Sequence, residues 1–280
     1  MKFLLIIFLL LKTLPSLAYS EVVMTEQGEI LHSYNAETRI FPASLRKLMT
    51  IYFTFEALQE GRLAFKQKLF TTKRAASQSR INLGLKYGDL IAVEKALDGV
   101  IQKYANDATI VLEEFFAPNR WIYTEMLNQR ALQLGLYNTN FGDNYSGNFG
   151  NRGGKYTTLI DMAKFAFIIK NDFPIFFDLF AKTEFKFNGT KFFSRNNILK
   201  KTAFATGLKD GYSKESGYYM ITTAHYNDKY LAIGIAGADR PGRAEAQMIK
   251  LIERFLRNAP NDITEYAEEM SKKPFPWIKK

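Results

Sequence analysis

The chain has 280 residues, with 38 Lys+Arg against 28 Asp+Glu, two His and no Cys, for a formal charge of +10. With 47% hydrophobic residues and 24 Phe it is globular rather than disordered, and at this length it buries roughly 70–75% of its unfolded surface. The missing cysteines exclude a thiol nucleophile, Cys-ligated zinc, iron–sulfur clusters and disulfides, and His32 and His225 form no His-Glu-x-x-His zinc site.

The N-terminus reads as a cleavable export signal over residues 1–18. Lys2 precedes an apolar run over 3–11, followed by Lys12, Pro15 and the small-residue exit Ser16-Leu17-Ala18. A membrane-spanning anchor needs about 20 apolar residues, and Lys12 interrupts the run first. Cleavage takes two lysines away, lowering the charge from +10 to +8. An exported chain without Cys fits the periplasm of a bacterial envelope better than eukaryotic secretion.

Residues 21–34 read as two short strands around a Gln27-Gly28 turn. Residues 44–60 carry Leu45, Leu48, Met49, Tyr52, Phe53 and Leu58 before a Gly61 stop. That is a helix, apolar on nearly every side and therefore buried. A second helix over 92–104 breaks at Asn106-Asp107, where Asp107 is a candidate N-cap for a helix over 108–116. Another helix spans 121–134 and closes at Gly135. Residues 142–154 form a loop by composition, and Lys155-Tyr156 lacks the spacing and hydroxyl of a phosphate cradle.

A helix over 158–169 follows, and Phe173-Pro174 opens an aromatic segment. The last third changes period: strands over 217–224 and 229–236 are joined by His225-Tyr226-Asn227-Asp228, then an amphipathic helix covers 244–256. Strands at both ends with helices between predict an α/β protein of α+β type. One antiparallel sheet gathers both ends of the chain and carries a helical insertion. The tail over 271–280 has four lysines and Trp277; a disordered appendage and a contact to anionic membrane are both open readings.

Candidate chemistry starts at Ser44-Leu45-Arg46-Lys47. A chain with 11 serines and 25 lysines contains one Ser-x-x-Lys by chance, so the pattern alone carries no weight. Pro42 and Ser44 suit an ordinary helix start, with Ser44 as cap. Yet a capping box would place Glu or Gln where Lys47 stands, and cations in a first turn oppose the helix dipole. Positions i and i+3 share a face, so Lys47 can reach Ser44. Burial, the dipole and Arg46 all lower the lysine pKa toward that of a usable base. Cap and activated nucleophile both remain open on these residues alone.

Phe41-Pro42-Ala43-Ser44-Leu45-Arg46-Lys47-Leu48-Met49-Thr50 resembles the nucleophile segment of D-alanyl-D-alanine carboxypeptidases, the low-molecular-mass penicillin-binding proteins. Gly28-Glu29-Ile30-Leu31 and Tyr34-Asn35-Ala36 resemble the hairpin before it. Leu83-Gly84-Leu85-Lys86-Tyr87-Gly88-Asp89, Ala105-Asn106-Asp107-Ala108, Gly135-Leu136-Tyr137-Asn138-Thr139-Asn140-Phe141, Tyr156-Thr157-Thr158 and Phe187-Asn188-Gly189 follow in the family's order. The resemblance covers roughly residues 21–258. It implies a β-lactamase/transpeptidase-like fold, with an antiparallel sheet flanked by helices plus a helical subdomain. The implied organisation is a signal over 1–18, a catalytic domain over 19–262 and a basic tail over 263–280.

The family's first motif, Ser-x-x-Lys, is intact. The second, usually Ser-x-Asn, reads Tyr104-Ala105-Asn106, similar to class C β-lactamases, where tyrosine assists proton transfer. Tyr104 is otherwise the last apolar residue of its helix, in phase with Leu97, Val100 and Ile101. The third, usually Lys-Thr-Gly, reads Lys209-Asp210-Gly211, with Thr206 on the same strand face but about 13 Å away. Where the family threonine helps hold a substrate carboxylate, Asp210 would repel it by about 4 kcal/mol at 4 Å unless Lys209, Arg240 or Arg243 offsets it. Lys209 is otherwise an exposed strand lysine.

The resemblance implies acyl transfer from D-Ala–D-Ala peptides to Ser44. Lys47 is the base, Tyr104 and Asn106 assist, and the backbone N–H groups of Ser44 and Tyr212 form the oxyanion hole. Lys209, Asp210, Gly211 and Tyr212 line the substrate. No cofactor or metal is implied. The expected partners are peptidoglycan stem peptides and β-lactams; an exported chain leaves nucleic acid out. A D,D-endopeptidase, a β-lactamase of the same fold and an impaired peptidoglycan-binding protein are the alternatives.

Overall fold

The computed structural model describes residues 19–142 and 154–257, so the expected signal, most of the 142–154 loop and the basic tail lie outside the described residues. In chain order the strands are β1 (Ser20–Thr25), β2 (Ile30–Tyr34), β3 (Lys68–Phe70), β4 (Leu90–Ala92), β5 (Glu184–Phe187), β6 (Thr190–Phe193), β7 (Ala205–Ser213), β8 (Gly217–Tyr226) and β9 (Lys229–Ala238). The α-helices are α1 (Arg46–Gln59), α2 (Lys73–Ala76), α3 (Val93–Asp98), α4 (Asn106–Phe116), α5 (Arg120–Gln133), α6 (Leu159–Asp172), α7 (Pro174–Phe177), α8 (Ile198–Lys201) and α9 (Pro241–Ile252).

A five-stranded sheet of order β2-β1-β9-β8-β7 joins both ends of the chain, every neighbouring pair antiparallel. The β1–β2 turn needs φ +85° at Gly28, a conformation glycine adopts without a Cβ penalty. Side chains alternate between two cores, as the two-residue period of a strand dictates. Val22, Met24, Ile221 and Ala232 join the core shared with α6 and the helical lobe. Val23, Met220, Ile233 and Ile235 join Met248, Leu251 and Ile252 of α9. Cover on both faces is why the last strands read as almost continuous apolar runs.

The phenylalanine-rich helical lobe packs around α1. Phe55 lies 5.8 Å from Phe173 and 6.1 Å from Phe180, ring centre to ring centre, and Tyr52 lies 4.9 Å from Phe173. This lobe abuts the β7 end of the sheet, where β7 is an edge strand. A cleft therefore forms between an edge strand and the start of α1.

Three local departures from the sequence expectation matter for the site. The first turn before α1 is a 3₁₀ turn over Ala43–Leu45, capped without a side-chain hydrogen bond, so Ser44 does not serve as an N-cap. Beyond α3 a π-helical turn over Gly99–Lys103 ends at Tyr104. Asp107 lies inside α4 rather than before it, and its carboxylate reaches back to the backbone N–H groups of Leu83 and Leu85.

Candidate active site

Ser44 follows Ala43, whose φ of +37° is strained for a residue with a Cβ. The strain turns Ser44 toward the sheet. Its Oγ lies 2.8 Å from the Tyr219 hydroxyl, and its backbone N–H donates to that same hydroxyl at 3.1 Å. Tyr219 on β8 stands opposite Gly211 on β7. A Cβ at position 211 would come within 2.3 Å of the Tyr219 hydroxyl and 2.8 Å of Ser44 Oγ, so only glycine admits this three-way approach.

Lys47 lies one turn along the helix, 8% exposed. Its Nζ donates to the Tyr104 carbonyl at 2.5 Å and to Asn106 Oδ1 at 2.7 Å. Burial lowers its pKa to about 8; the Glu113 and Asp107 carboxylates oppose that shift, and Arg46 adds to it. A neutral amine has two N–H bonds and one lone pair. With both hydrogens committed to Tyr104 and Asn106, the lone pair remains free to accept a proton.

The carbonyl that pins Lys47 is presented by an unusual backbone. Tyr104 is left-handed at φ +61°, a conformation costing a bulky residue roughly 1–2 kcal/mol. Asn106 is fixed by its N–H to the Ile81 carbonyl at 2.8 Å. Asp107 anchors the following turn, accepting from Leu83 and Ala108 N–H at 2.9 and 2.8 Å and from Leu85 N–H at 3.1 Å.

The residues departing from the family's second and third motifs meet each other. The Tyr104 hydroxyl donates to Asp210 Oδ1, and burial pushes the phenol pKa well up, keeping it a neutral donor. Asp210 is therefore turned onto Tyr104, and it is the tyrosine that engages the carboxylate. Neither arginine proposed from the sequence does that work: Arg243 pairs with Asp239 at 3.3 Å, and Arg240 is exposed at the start of α9. Lys209 is not an exposed strand lysine. It is 2% exposed, stands 3.1 Å over the Tyr104 ring centre and donates to the Asp210 carbonyl at 3.2 Å. Burial, then the Lys47 ammonium, holds its pKa well below the usual lysine range.

Ser44, Lys47, Tyr104, Asn106, Lys209, Asp210 and Gly211 thus come together, whereas the Tyr212 side chain is exposed and packs on Tyr218 at 4.7 Å. Tyr219 is absent from the sequence reading. Counting register back from the hairpin places it opposite Gly211, but nothing local tells that its ring reaches across to Ser44. The adjoining cleft has a volume of about 490 Å³. Arg46, Lys47, Arg74, Glu113 and Arg120 line it; Arg46 pairs with Glu113 at 3.2 Å and Arg74 with Glu114 at 2.8 Å.

The family model for D-alanyl-D-alanine carboxypeptidase matches residues 15–240. The D-alanyl-D-alanine carboxypeptidase DacF of Bacillus subtilis is 28% identical over 236 residues, covering 83% of this chain and 60% of the relative. DacA of Haemophilus influenzae is 29% identical over 236 residues, covering 82% of this chain and 59% of the relative. The chain thus spans about 60% of the length of these curated relatives. Among solved structures, penicillin binding protein 5 from Haemophilus influenzae superposes with a TM-score of 0.78 at 26% identity, covering 88% of this chain and 72% of that one. The antiparallel sheet with its flanking helices is the β-lactamase/transpeptidase fold expected from the sequence. By the family match over most of its length, the chain belongs to the D-alanyl-D-alanine carboxypeptidases.

Proposed function

We propose that the chain is a serine D-alanyl-D-alanine carboxypeptidase acting on peptidoglycan stem peptides through a Ser44 acyl-enzyme. The observation that carries this reading is Lys47: a buried amine with a lowered pKa, both hydrogens engaged, one turn from Ser44, which the strained Ala43 precedes. Lys47 takes the hydroxyl proton as Ser44 Oγ attacks the carbonyl of the penultimate D-alanine. The carbonyl electron pair moves to oxygen, where backbone N–H groups of Ser44 and Tyr212 stabilise it. Collapse breaks the C–N bond, the leaving amine takes the proton, and water hydrolyses the ester.

β7 is the edge strand of the sheet, along which an extended peptide can lie. Arg120 on the wall of the cleft suits a substrate bearing a carboxylate. In this reading Tyr104 and Asn106 assist proton transfer and bind the substrate amide, while Lys209, Asp210, Gly211 and Tyr212 line its terminal residue. β-Lactams acylate the same serine. In this reading residues 1–18 direct export to the periplasm, 19–262 are the catalytic domain, and 263–280 are a basic tail.

One observation favours the impaired-binding alternative: the Tyr219 hydroxyl rests directly on the nucleophile. Release of D-alanine from a peptide ending in D-Ala–D-Ala decides between them. The wild type is expected to release it catalytically and Ser44→Ala to fall to background. A folded wild type with no release above Ser44→Ala would leave only binding.

A further inference from the structure

The Tyr219 hydroxyl stands where a substrate's carbonyl oxygen has to go. When Ser44 Oγ attacks a carbonyl, the oxygen must lie beside Oγ and within hydrogen-bond reach of the Ser44 N–H. Tyr219 holds both relations already, at 2.8 Å from Oγ and 3.1 Å from the nitrogen. Two oxygens do not share one such position. The tyrosine is 1% exposed, and burial raises its pKa, so the group is a neutral hydroxyl sealed from water. Because it accepts the Ser44 N–H, its own proton is available to Oγ. Both hydrogen bonds of this hydroxyl therefore tie Ser44 to the sheet, while the hydrogens of Lys47 are engaged on the other side by Tyr104 and Asn106.

Resting on the acyl-transfer reading above, we propose that Tyr219 is a gate on the oxyanion site, which an incoming carbonyl oxygen must displace before Ser44 can turn to Lys47. The displacement couples substrate entry to nucleophile activation. As the carbonyl oxygen takes over the Ser44 N–H, Oγ loses the donor that occupied its lone pair; that lone pair is then free to attack the carbonyl while the Oγ proton passes to the lysine. Gly211 is the structural condition of the gate, because any side chain there would meet the hydroxyl. The gate slows acylation by every ligand that uses the oxyanion site, and favours ligands whose other contacts offset the displacement.

The test is the second-order rate of Ser44 acylation by a fluorescent penicillin in wild type, Tyr219→Phe, Tyr219→Ala and Ser44→Ala, with folding checked by circular dichroism. Tyr219→Phe keeps the buried ring and removes both hydrogen bonds, so its rate is expected to rise about tenfold, equivalent to about 1.4 kcal/mol of barrier. Tyr219→Ala clears the position entirely and is expected to acylate at least as fast. Structural damage slows acylation, so an increase supports the gate. Labelled wild type with unchanged or slower rates in folded Tyr219→Phe would overturn the gate and leave the acyl-transfer reading standing. No labelling of any of the four proteins would overturn that reading instead, and the gate with it.

Discussion

Lys47→Ala is expected to lower the rate of Ser44 acylation by about 10²- to 10⁴-fold while leaving the fold intact, the range that a positioned general base supplies. The two groups that fix the amine, the Tyr104 carbonyl and Asn106 Oδ1, come from a turn of the helical lobe that does not depend on Lys47 for its backbone bonds. The wild type carries a signature that an indifferent lysine would not. With a pKa of about 8, the amine is neutral, and able to accept a proton, only as pH rises through that value. The acylation rate is therefore expected to climb about tenfold per unit below pH 8 and to level off above it. Residual activity in Lys47→Ala should lack this step. A pH-independent wild-type rate between 6 and 9 would remove Lys47 from the base role. The same burial has a stability consequence. The folded state binds this proton less tightly than the unfolded chain, so this group's contribution to stability rises as pH goes from about 8 to 10.5.

Asp107→Ala is expected to destabilise the protein by on the order of 3 kcal/mol. The carboxylate is 1% exposed and accepts backbone N–H bonds from Leu83, Leu85 and Ala108. Alanine leaves those donors buried without an acceptor, and bonds to a charged acceptor are stronger than neutral ones. Urea unfolding should show a lower midpoint with an unchanged slope. Asp107→Asn keeps one acceptor oxygen and should lose roughly half as much. A loss below about 1 kcal/mol in the alanine variant would show that solvent or neighbouring groups satisfy these donors. Because Asp107 follows Asn106 directly, the same variant should also loosen the turn that holds Lys47.

The sequence carried what is local. The Gly28 turn, the buried α1 and the β8–β9 hairpin follow from residue period and turn chemistry within a few positions, and the structure has each of them. The family resemblance was legible because ordered short motifs add up along the chain, and the family match agrees. What local reading missed depends on long-range contact. Tyr104 and Asp210 looked like two separate irregularities, yet their side chains are joined across the cleft. Asp107 looked like a cap because aspartate before an apolar run usually is one; its bonds run instead to Leu83 and Leu85. Tyr219 carries no local signal, since its significance lies in a contact with Ser44 175 positions away. The short β5–β6 pair was a nearer miss. Its Asn188-Gly189 turn, with φ of +46° and +75°, has the two positive angles that favour this dipeptide in hairpins.

The central claim is that Ser44 is an acylated nucleophile, and intact-mass analysis with peptide mapping after exposure to benzylpenicillin addresses it directly. The account predicts one adduct of the penicillin's mass per chain, located on the peptide containing Ser44 and absent from Ser44→Ala. An adduct on another residue, or none on folded wild-type protein, would contradict it.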